Sequence, residues 1–503
     1  MNKKVLLLHI PEDKTLNDDY HYGLACISAN LEYNNIECEI IDRPNYDVIS
    51  NKVLNCLHEY DLIGMSTDIF SYEYSVKLAK MIKEKCPIPI IIGGVYATFN
   101  HIDILNTHNY FDAIVRGEGE TALVSLCEDW FKNNCFTVEH PGVSYLNVNG
   151  KKVLSNKKIT EENLNQLRYF KKRPLPGKDK IDFDITNISI GRGCIHNCVY
   201  CCGIIRSQWR GRYVSNIVAE IKNMYDTHNN KNFSIDYADP CILFDPERIL
   251  RISYEINEYC GKNIVFTGFV HPLKVIETGI ENLQTLKNYG CSALFVGIEN
   301  ASQVVLDRYN RKYRVEDNLE AINLLRKSGI ETRVGFIPFD PETTIGELKE
   351  NLRFIKEAGL FGYWMDGLPI PYNCLEALNG NIRLSKYNKP VDEYFVNDEV
   401  KSIYQVMMQF KENFQHRIDQ IYANLCNAHI HLDANNYFEL NKLPYYLLNE
   451  LVQKDHSVHV VVTVPRHLHY VFGIASGTSD IFESGRWRHR TAVVRAVNIN
   501  PRL

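Results

Sequence analysis

Along the first quarter of the chain, short β-rich runs alternate with longer stretches of helical period, the pattern of a parallel sheet covered by helices. The runs predict strands at Val5–His9, Glu37–Asp42, Leu62–Ser66, Ile88–Ile92 and Ala113–Val115, with crossover helices over Tyr22–Tyr33, Val48–Glu59 and Tyr72–Lys85. A doubly wound sheet of this kind binds ligands at the carboxyl ends of its strands, in loops that are polar or rich in glycine. Here those loops read Ser66-Thr67-Asp68, Gly93-Gly94-Val95-Tyr96-Ala97-Thr98 and Gly117-Glu118-Gly119-Glu120.

Beyond them the texture becomes polar, with Pro141, Pro174 and Pro176, and predicts a hairpin over Gly142–Leu154 followed by a linker. From Ile181 the alternation resumes, with strands expected at Ile185–Ile190, Phe233–Tyr237, Ile264–Phe269, Ala293–Val296, Thr332–Ile337 and Gly362–Met365. Six βα units imply a partial βα barrel whose function lies at the strand C-termini. The last part of the chain reads as mostly helical, then ends in a Val-rich run, His456–Val464, and a tail bearing Arg486, Arg488, Arg490, Arg495 and Arg502 that is expected to be a solvated edge. The expected domains are therefore 1–135 (Rossmann-like), 136–180 (hairpin and linker), 181–375 (barrel) and 376–503 (mostly helical, with a short β-like, Arg-rich tail).

At 503 residues the chain exceeds one ordinary core, and 45% hydrophobic with 23% charged residues argues against disorder or a fibrous repeat. A net charge of -5 gives no reason to expect nucleic acid, so a small-molecule or peptide substrate is the expected partner. No run reaches the roughly 18 uncharged apolar residues of a membrane helix, and the N-terminus reads as a first strand rather than a signal peptide. A cytoplasmic location, without membrane association, is the expectation. Fifteen cysteines, an odd number without a secretory signal, are then mostly reduced thiols.

One cluster of cysteines stands apart. Gly191-Arg192-Gly193-Cys194-Ile195-His196-Asn197-Cys198-Val199-Tyr200-Cys201-Cys202 follows directly on a predicted strand. Three thiolates spaced CxxxCxxC on a loop with flanking glycines reach three corners of one 4Fe-4S cube, leaving the fourth iron open. An open iron chelates a ligand offering an amine and a carboxylate, as S-adenosylmethionine (SAM) does, and a reduced cluster then cleaves the sulfonium to a 5'-deoxyadenosyl radical. A zinc site completed by His196 or Cys202 satisfies the count as well, although no second pair of ligands lies at a suitable distance.

This motif, with Tyr200 just before its last cysteine, resembles the radical SAM superfamily. Gly297-Ile298-Glu299-Asn300 is similar to that family's fourth-strand segment, Gly335–Thr344 resembles its fifth, and Asp236-Tyr237-Ala238-Asp239 stands where many relatives carry acidic residues. The resemblance implies a (β/α)6 radical SAM barrel with the cluster on Cys194, Cys198 and Cys201. It also implies that Tyr200 packs on the adenine of SAM, and that Gly297, Glu299 and Asp239 lie near the rest of it. A reducing partner such as flavodoxin or ferredoxin is implied too. Arg206, Arg210 and Arg212, which follow the cluster loop, are expected on solvated surface, with a phosphate or carboxylate contact as the alternative.

The N-terminal domain resembles the cobalamin-binding domain fused to one large radical SAM subgroup, through Gly23-Leu24-Ala25, Gly64-Met65-Ser66, Ile91-Ile92-Gly93-Gly94 and Arg116-Gly117-Glu118-Gly119-Glu120. By that resemblance Ser66, Thr67, Gly93, Gly94, Tyr96, Gly117 and Glu118 are candidate cobalamin contacts. Two departures stand out: no DxHxxG segment offers a cobalt ligand, and Tyr96 stands where relatives often have histidine. A purely structural domain is the alternative. The function implied is a cobalamin-dependent C-methyltransferase of a small metabolite or natural-product intermediate. A radical SAM enzyme catalysing a non-methylating rearrangement or ring formation, with or without cobalamin, is the other. No residue is assigned as the catalytic acid or base.

Overall fold

The computed structural model describes residues 3–9, 21–42, 46–68, 71–137, 140–146, 152–154, 163–168, 185–201, 203, 208–227, 232–360, 395–410, 443–453, 459–462 and 492–495. The chain divides into two compact units, the first built chiefly from Met1–Phe295 and the second chiefly from Val296–Asn323 and residues from Arg333 onward.

In the first unit, β1 (Lys4–His9), β2 (Glu37–Asp42), β3 (Leu62–Ser66), β4 (Ile90–Gly93) and β5 (Ala113–Val115) are joined by β6 (Val143–Leu146) and β7 (Lys152–Leu154) in one sheet of order β2-β1-β3-β4-β5-β6-β7. The first five strands pair parallel, with Val5 opposite Leu62 and Ile63 opposite Ile90, and the last two return antiparallel. Alternate residues of one strand enter different cores. Leu6, Leu8, Ile63 and Ile92 pack on one face, Val5, Leu7, Leu62 and Ile91 on the other, which is why these strands read as continuous apolar runs. Helix α1 (Tyr22–Tyr33) and helix α5 (Glu120–Asn133) cover the second face. Helices α2 (Tyr46–Cys56), α3 (Tyr72–Lys85) and α4 (Gly94–Thr107) cover the first. Strand β4 starts two residues later than the sequence suggests because Pro87 and Pro89 have no N–H to give to the ladder.

The remaining strands of the first unit are β8 (Ile185–Ile188), β9 (Gly191–Cys194), β10 (Gln208–Gly211), β11 (Phe233–Tyr237) and β12 (Ile264–Val270). Strand β11 pairs parallel with β8 and with β12. With β13 (Cys291–Glu299) and β14 (Glu331–Phe336) they give a sheet of order β14-β13-β12-β11-β8. Between them run α6 (Val214–Thr227), α7 (Pro246–Cys260) and α8 (Pro272–Asn288). Helix α7 starts sharply because Asp245 accepts the Arg248 N–H at 3.0 Å and Pro246 opens its first turn. Strands β9 and β10, which the sequence did not suggest, form an antiparallel hairpin.

The second unit holds α9 (Gln303–Arg308), α10 (Val315–Lys327, in part), α11 (Ile345–Ala358), α12 (Asp398–Phe410) and α13 (Leu443–Gln453), and pairs β15 (His459–Val462) antiparallel with β16 (Ala492–Arg495). The expected strand at Gly362–Met365 and most of the Arg-rich tail lie outside the described residues.

The crossing from β4 into α4 depends on backbone contact. Gly94 has φ +93°, and a Cβ there would stand 2.4 Å from the Thr67 carbonyl oxygen. Gly94→Ala is expected to cost about 1–3 kcal/mol of stability from the left-handed backbone alone, read as a lower urea midpoint with an unchanged slope.

Candidate active site

A cavity of about 490 Å³ opens at the carboxyl edge of the first sheet, on the side of α1 and α5. Its inner wall is apolar, with Leu7, Ile27, Ile91 and Leu123, and its mouth is polar. Ser66, Thr67, Gly93, Gly94, Gly117 and Glu118 all line it, as the loop positions predicted. Thr67 is buried and closes the strand ends together: its hydroxyl and its N–H both donate to the Gly93 carbonyl at 2.9 Å, and its own carbonyl accepts the Tyr96 N–H at 3.2 Å. Tyr96 is the exception. Because α4 begins at Gly94, its ring stacks on Tyr72 at 4.1 Å in the core of the other face, and Val95 is the neighbour that lines the cavity.

Two histidines in the mouth were not anticipated. The Leu24 N–H donates to His21 Nδ1 at 3.1 Å, capping α1, so that nitrogen carries the lone pair and Nε2 carries the proton toward Ser66 Oγ, 3.3 Å away. The His9 ring lies 4.4 Å from that of His21, and its Nε2 is 3.9 Å from Asp68 Oδ2. Burial pushes the Asp68 carboxyl up, but hydrogen bonds from His9 and Ser71 outweigh it and bring it down to about 2.

The predicted cluster cysteines leave the end of β9. Cys194 and Cys201 are half-buried, Cys198 is buried, and Tyr200 sits half-buried in the same turn. The His196 N–H lies 3.4 Å from Cys194 Sγ, the Gly203 N–H 3.2 Å from Cys201 Sγ, and the Cys201 N–H donates to the Cys198 carbonyl. Amide donors aimed at sulfur suit thiolates that hold a metal cluster. Among the described residues no three His, Cys, Asp or Glu side chains converge on a single ion. Three thiolates that each take one corner of a cube need no such convergence.

Ser189 and Ile190 link β8 to this hairpin, and their backbone groups are held by side chains. The Ser189 N–H donates to Tyr22 Oη and its carbonyl accepts Arg212 Nη1 at 2.7 Å. The Ile190 N–H donates to Asp239 Oδ2 at 2.7 Å and its carbonyl accepts Arg248 Nη2 at 2.8 Å. Asp239, expected near SAM, is thus fully buried and engaged with the base of the hairpin; burial pushes its carboxyl up to about 7 despite these donors. Arg212 also donates to Glu220 at 2.6 Å. Above it, Arg192 Nη1 and Nη2 reach Glu118 (3.2 Å) and Glu120 (2.7 Å), while Arg210 grips both oxygens of Glu118 at 2.9 and 3.0 Å. Arg210 and Arg212 are therefore buried ion-pair partners rather than solvated surface, and Arg206 lies outside the described residues.

In the second unit, Glu299 ends its strand in the left-handed region at φ +59°. Asn318 Nδ2 donates to the Ile298 and Asn300 carbonyls, and Arg311 Nη2 donates to the Gly297 carbonyl at 2.6 Å. A Cβ at Gly297 would lie 2.5 Å from Glu299 Oε1, so the glycine makes room for that carboxylate. A side-chain-bearing residue held in a costly conformation by several partners is a mark of a functional position.

A model of the radical SAM superfamily matches residues 188–355, and a model of the B12 binding domain matches residues 13–127. The chain belongs to the radical SAM superfamily and carries a B12-binding domain. A methyltransferase of Pyrococcus horikoshii, itself described as uncharacterized, is 24% identical over 353 residues, spanning 67% of this chain and 72% of that protein. An anaerobic magnesium-protoporphyrin IX monomethyl ester cyclase of Rubrivivax gelatinosus is 25% identical over 392 residues, spanning 71% of this chain and 66% of that protein. Among solved structures, the cobalamin-dependent radical SAM enzyme OxsB with aqua-cobalamin bound is similar in fold, with a TM-score of 0.72 at 18% identity over 90% of this chain and 73% of that one.

The cofactors of a radical SAM enzyme with a B12-binding domain are a 4Fe-4S cluster, SAM and cobalamin. The residues present fit them: thiols with amide donors on the hairpin, and a cavity of ligand-binding size at the sheet edge. Among the described residues, no helix is long and apolar enough to cross a membrane.

The raised Asp239 carboxyl makes a pH prediction. A carboxyl with a folded-state pKa above its unfolded value contributes stability that is full below the unfolded pKa, near 4, and is lost as pH rises through about 7. Asp239→Asn cannot ionise, so the wild-type protein should lose on the order of 4 kcal/mol relative to it between pH 4 and pH 7, as followed by urea unfolding at stepped pH.

Proposed function

We propose that the protein is a cobalamin-dependent radical SAM methyltransferase acting on a small metabolite or natural-product intermediate. The observation that carries this reading is that one residue, Arg192, both lines the B12-domain cavity and stands two positions before Cys194. The cobalamin site and the cluster loop thereby share a wall. Cys194, Cys198 and Cys201 would hold the cluster, with Tyr200 beside the adenine of SAM and Glu299 and Gly297 near its polar part. Ser66, Thr67, Gly93, Gly94, Gly117 and Glu118 would border the cobalamin, whose apolar base suits the inner wall of Leu7, Ile27, Ile91 and Leu123. When bound, the cluster supplies the electron that cleaves SAM, and cobalamin supplies a methyl carrier.

The chain's own contribution is placement and exclusion. The clamps on Ser189 and Ile190 fix where the cluster loop departs, and the Nε2–H of His21 offers a donor at the cavity mouth. The domain limits 1–135, 136–180, 181–375 and 376–503 belong to this proposal, as do a cytoplasmic location and a flavodoxin or ferredoxin as reductant.

A second reading is ring formation or rearrangement without methyl transfer, favoured by the likeness to the monomethyl ester cyclase. A product heavier than the substrate by one methylene unit selects the first reading; an unchanged carbon count selects the second.

Protein prepared anaerobically with iron, sulfide and hydroxocobalamin should hold about four iron atoms, as a 4Fe-4S cluster requires, and about one cobalt, as one B12 site requires. Cys198→Ala should lose the iron and keep the cobalt. Iron without cobalt would support a cobalamin-free radical enzyme, and zinc in place of iron would overturn both readings.

A further inference from the structure

We propose that Glu118, with Glu120, is a positioning residue that ties the occupant of the B12-domain cavity to the hairpin carrying the cluster cysteines. The inference rests on the reading above, in which cobalamin fills that cavity and the cluster sits on that hairpin.

The β9–β10 ladder places Arg192 directly opposite Arg210, two residues along from the point where Cys194 faces Gln208. Like charges facing each other across a strand pair repel and splay it. Here Glu118 lies between them, bidentate to Arg210 and bonded to Arg192, while Glu120 takes the second arm of Arg192. Two carboxylates balance two guanidiniums, and the set is mostly out of water. Glu118 belongs to the short loop between β5 and α5 that rims the cavity, and Glu120 opens α5. Gly117 gives this loop its sharp path at φ +93°, and its N–H is tied to Thr98 Oγ1 at 3.1 Å. Glu118, Glu120 and Arg192 all line the cavity as well.

A ligand seated in the cavity therefore touches the same carboxylates that hold both strands from which the cluster loop departs. The base of the hairpin is fixed separately by Asp239, Arg212 and Arg248 through Ser189 and Ile190. Displacement at the rim is thus passed to the strand ends rather than absorbed at their root. Thermodynamic linkage makes such coupling reciprocal: an occupant that shifts the reduction of the cluster has its own affinity shifted by the oxidation state of the cluster.

The test compares full-length wild-type protein with Glu118→Gln and Arg210→Lys, each loaded with iron and sulfide, with and without hydroxocobalamin. Iron and cobalt are counted in every sample, and the midpoint potential and electron paramagnetic resonance spectrum of the reduced cluster are recorded. The wild-type protein should shift both when cobalt is bound. Glu118→Gln should hold both metals but lose more than half of the shift. Arg210→Lys, which keeps the charge and loses the two-pronged grip, should fall between.

An equal shift in Glu118→Gln and wild type, or no shift in a wild type that holds both metals, overturns the inference and leaves the proposed function standing. If Glu118→Gln does not retain iron, Arg210→Lys decides, and a full wild-type shift in that variant overturns the inference. A wild type that binds no cobalt overturns the underlying reading and the inference with it.

Discussion

Two guanidiniums face each other across a short antiparallel ladder, and a single carboxylate from another part of the chain sits between them. Exposed ion pairs contribute about 0–1 kcal/mol, whereas removing one member of a buried pair leaves an uncompensated charge at a cost of about 3–5 kcal/mol. The Glu118 and Arg210 side chains are 8% and 9% exposed, which places this pair in the second regime. Among the described residues, Glu118 and Glu120 balance the charges of the hairpin that carries the cysteine motif. That balance joins the fold of the B12-binding domain to the start of the radical SAM domain, because loss of either acid leaves a guanidinium short of its partner.

The turn below the ladder follows a complementary logic. A buried N–H or carbonyl must find a partner, and between two strands the backbone gives little, the Ile190 carbonyl taking the Arg212 N–H at 3.0 Å. Ser189 and Ile190 solve this with side chains drawn from four separate places: Tyr22 in α1, Arg212 after β10, Asp239 after β11 and Arg248 in α7. Asp239 and Arg212 are buried, and Tyr22 and Arg248 are half-buried. The cluster loop thus begins from a point fixed by elements on both sides of it.

Much of this fold could be read in advance, and the failures are specific. The strands β2, β3, β5 and β11, and the helices α1 and α3, have the limits the alternation predicts, because continuous apolar runs between long amphipathic stretches have few other solutions. The β9–β10 hairpin was invisible because Gly191-Arg192-Gly193-Cys194 and Gln208-Trp209-Arg210-Gly211 carry neither alternation nor β-branched residues. Its pairing is set by the arginines and their distant acids. The same blindness sent Arg210 and Arg212 to the surface, since a sequence shows a charge and not the partner that buries it. Tyr96 was misplaced because the segment Gly93–Thr98 was read as a loop: Gly94 begins α4, and Val95 takes the cavity side. At the candidate site, the cysteine motif and the glycine-bearing loops were legible, while the histidines of the mouth were not.

His21 shows why spacing alone misjudges such a site. A search for a metal-binding histidine asks whether the residue stands in the right motif, but a ring offers a lone pair only through a nitrogen without a proton. The helix that His21 caps has already taken the lone pair of Nδ1 for the Leu24 N–H, so the nitrogen facing the cavity carries hydrogen. While that cap holds, the ring can donate at the mouth and cannot ligate. The chemistry available there is therefore chosen by the first turn of α1, and a change that freed the Leu24 N–H would alter what the cavity can offer its ligand without moving any residue that touches it.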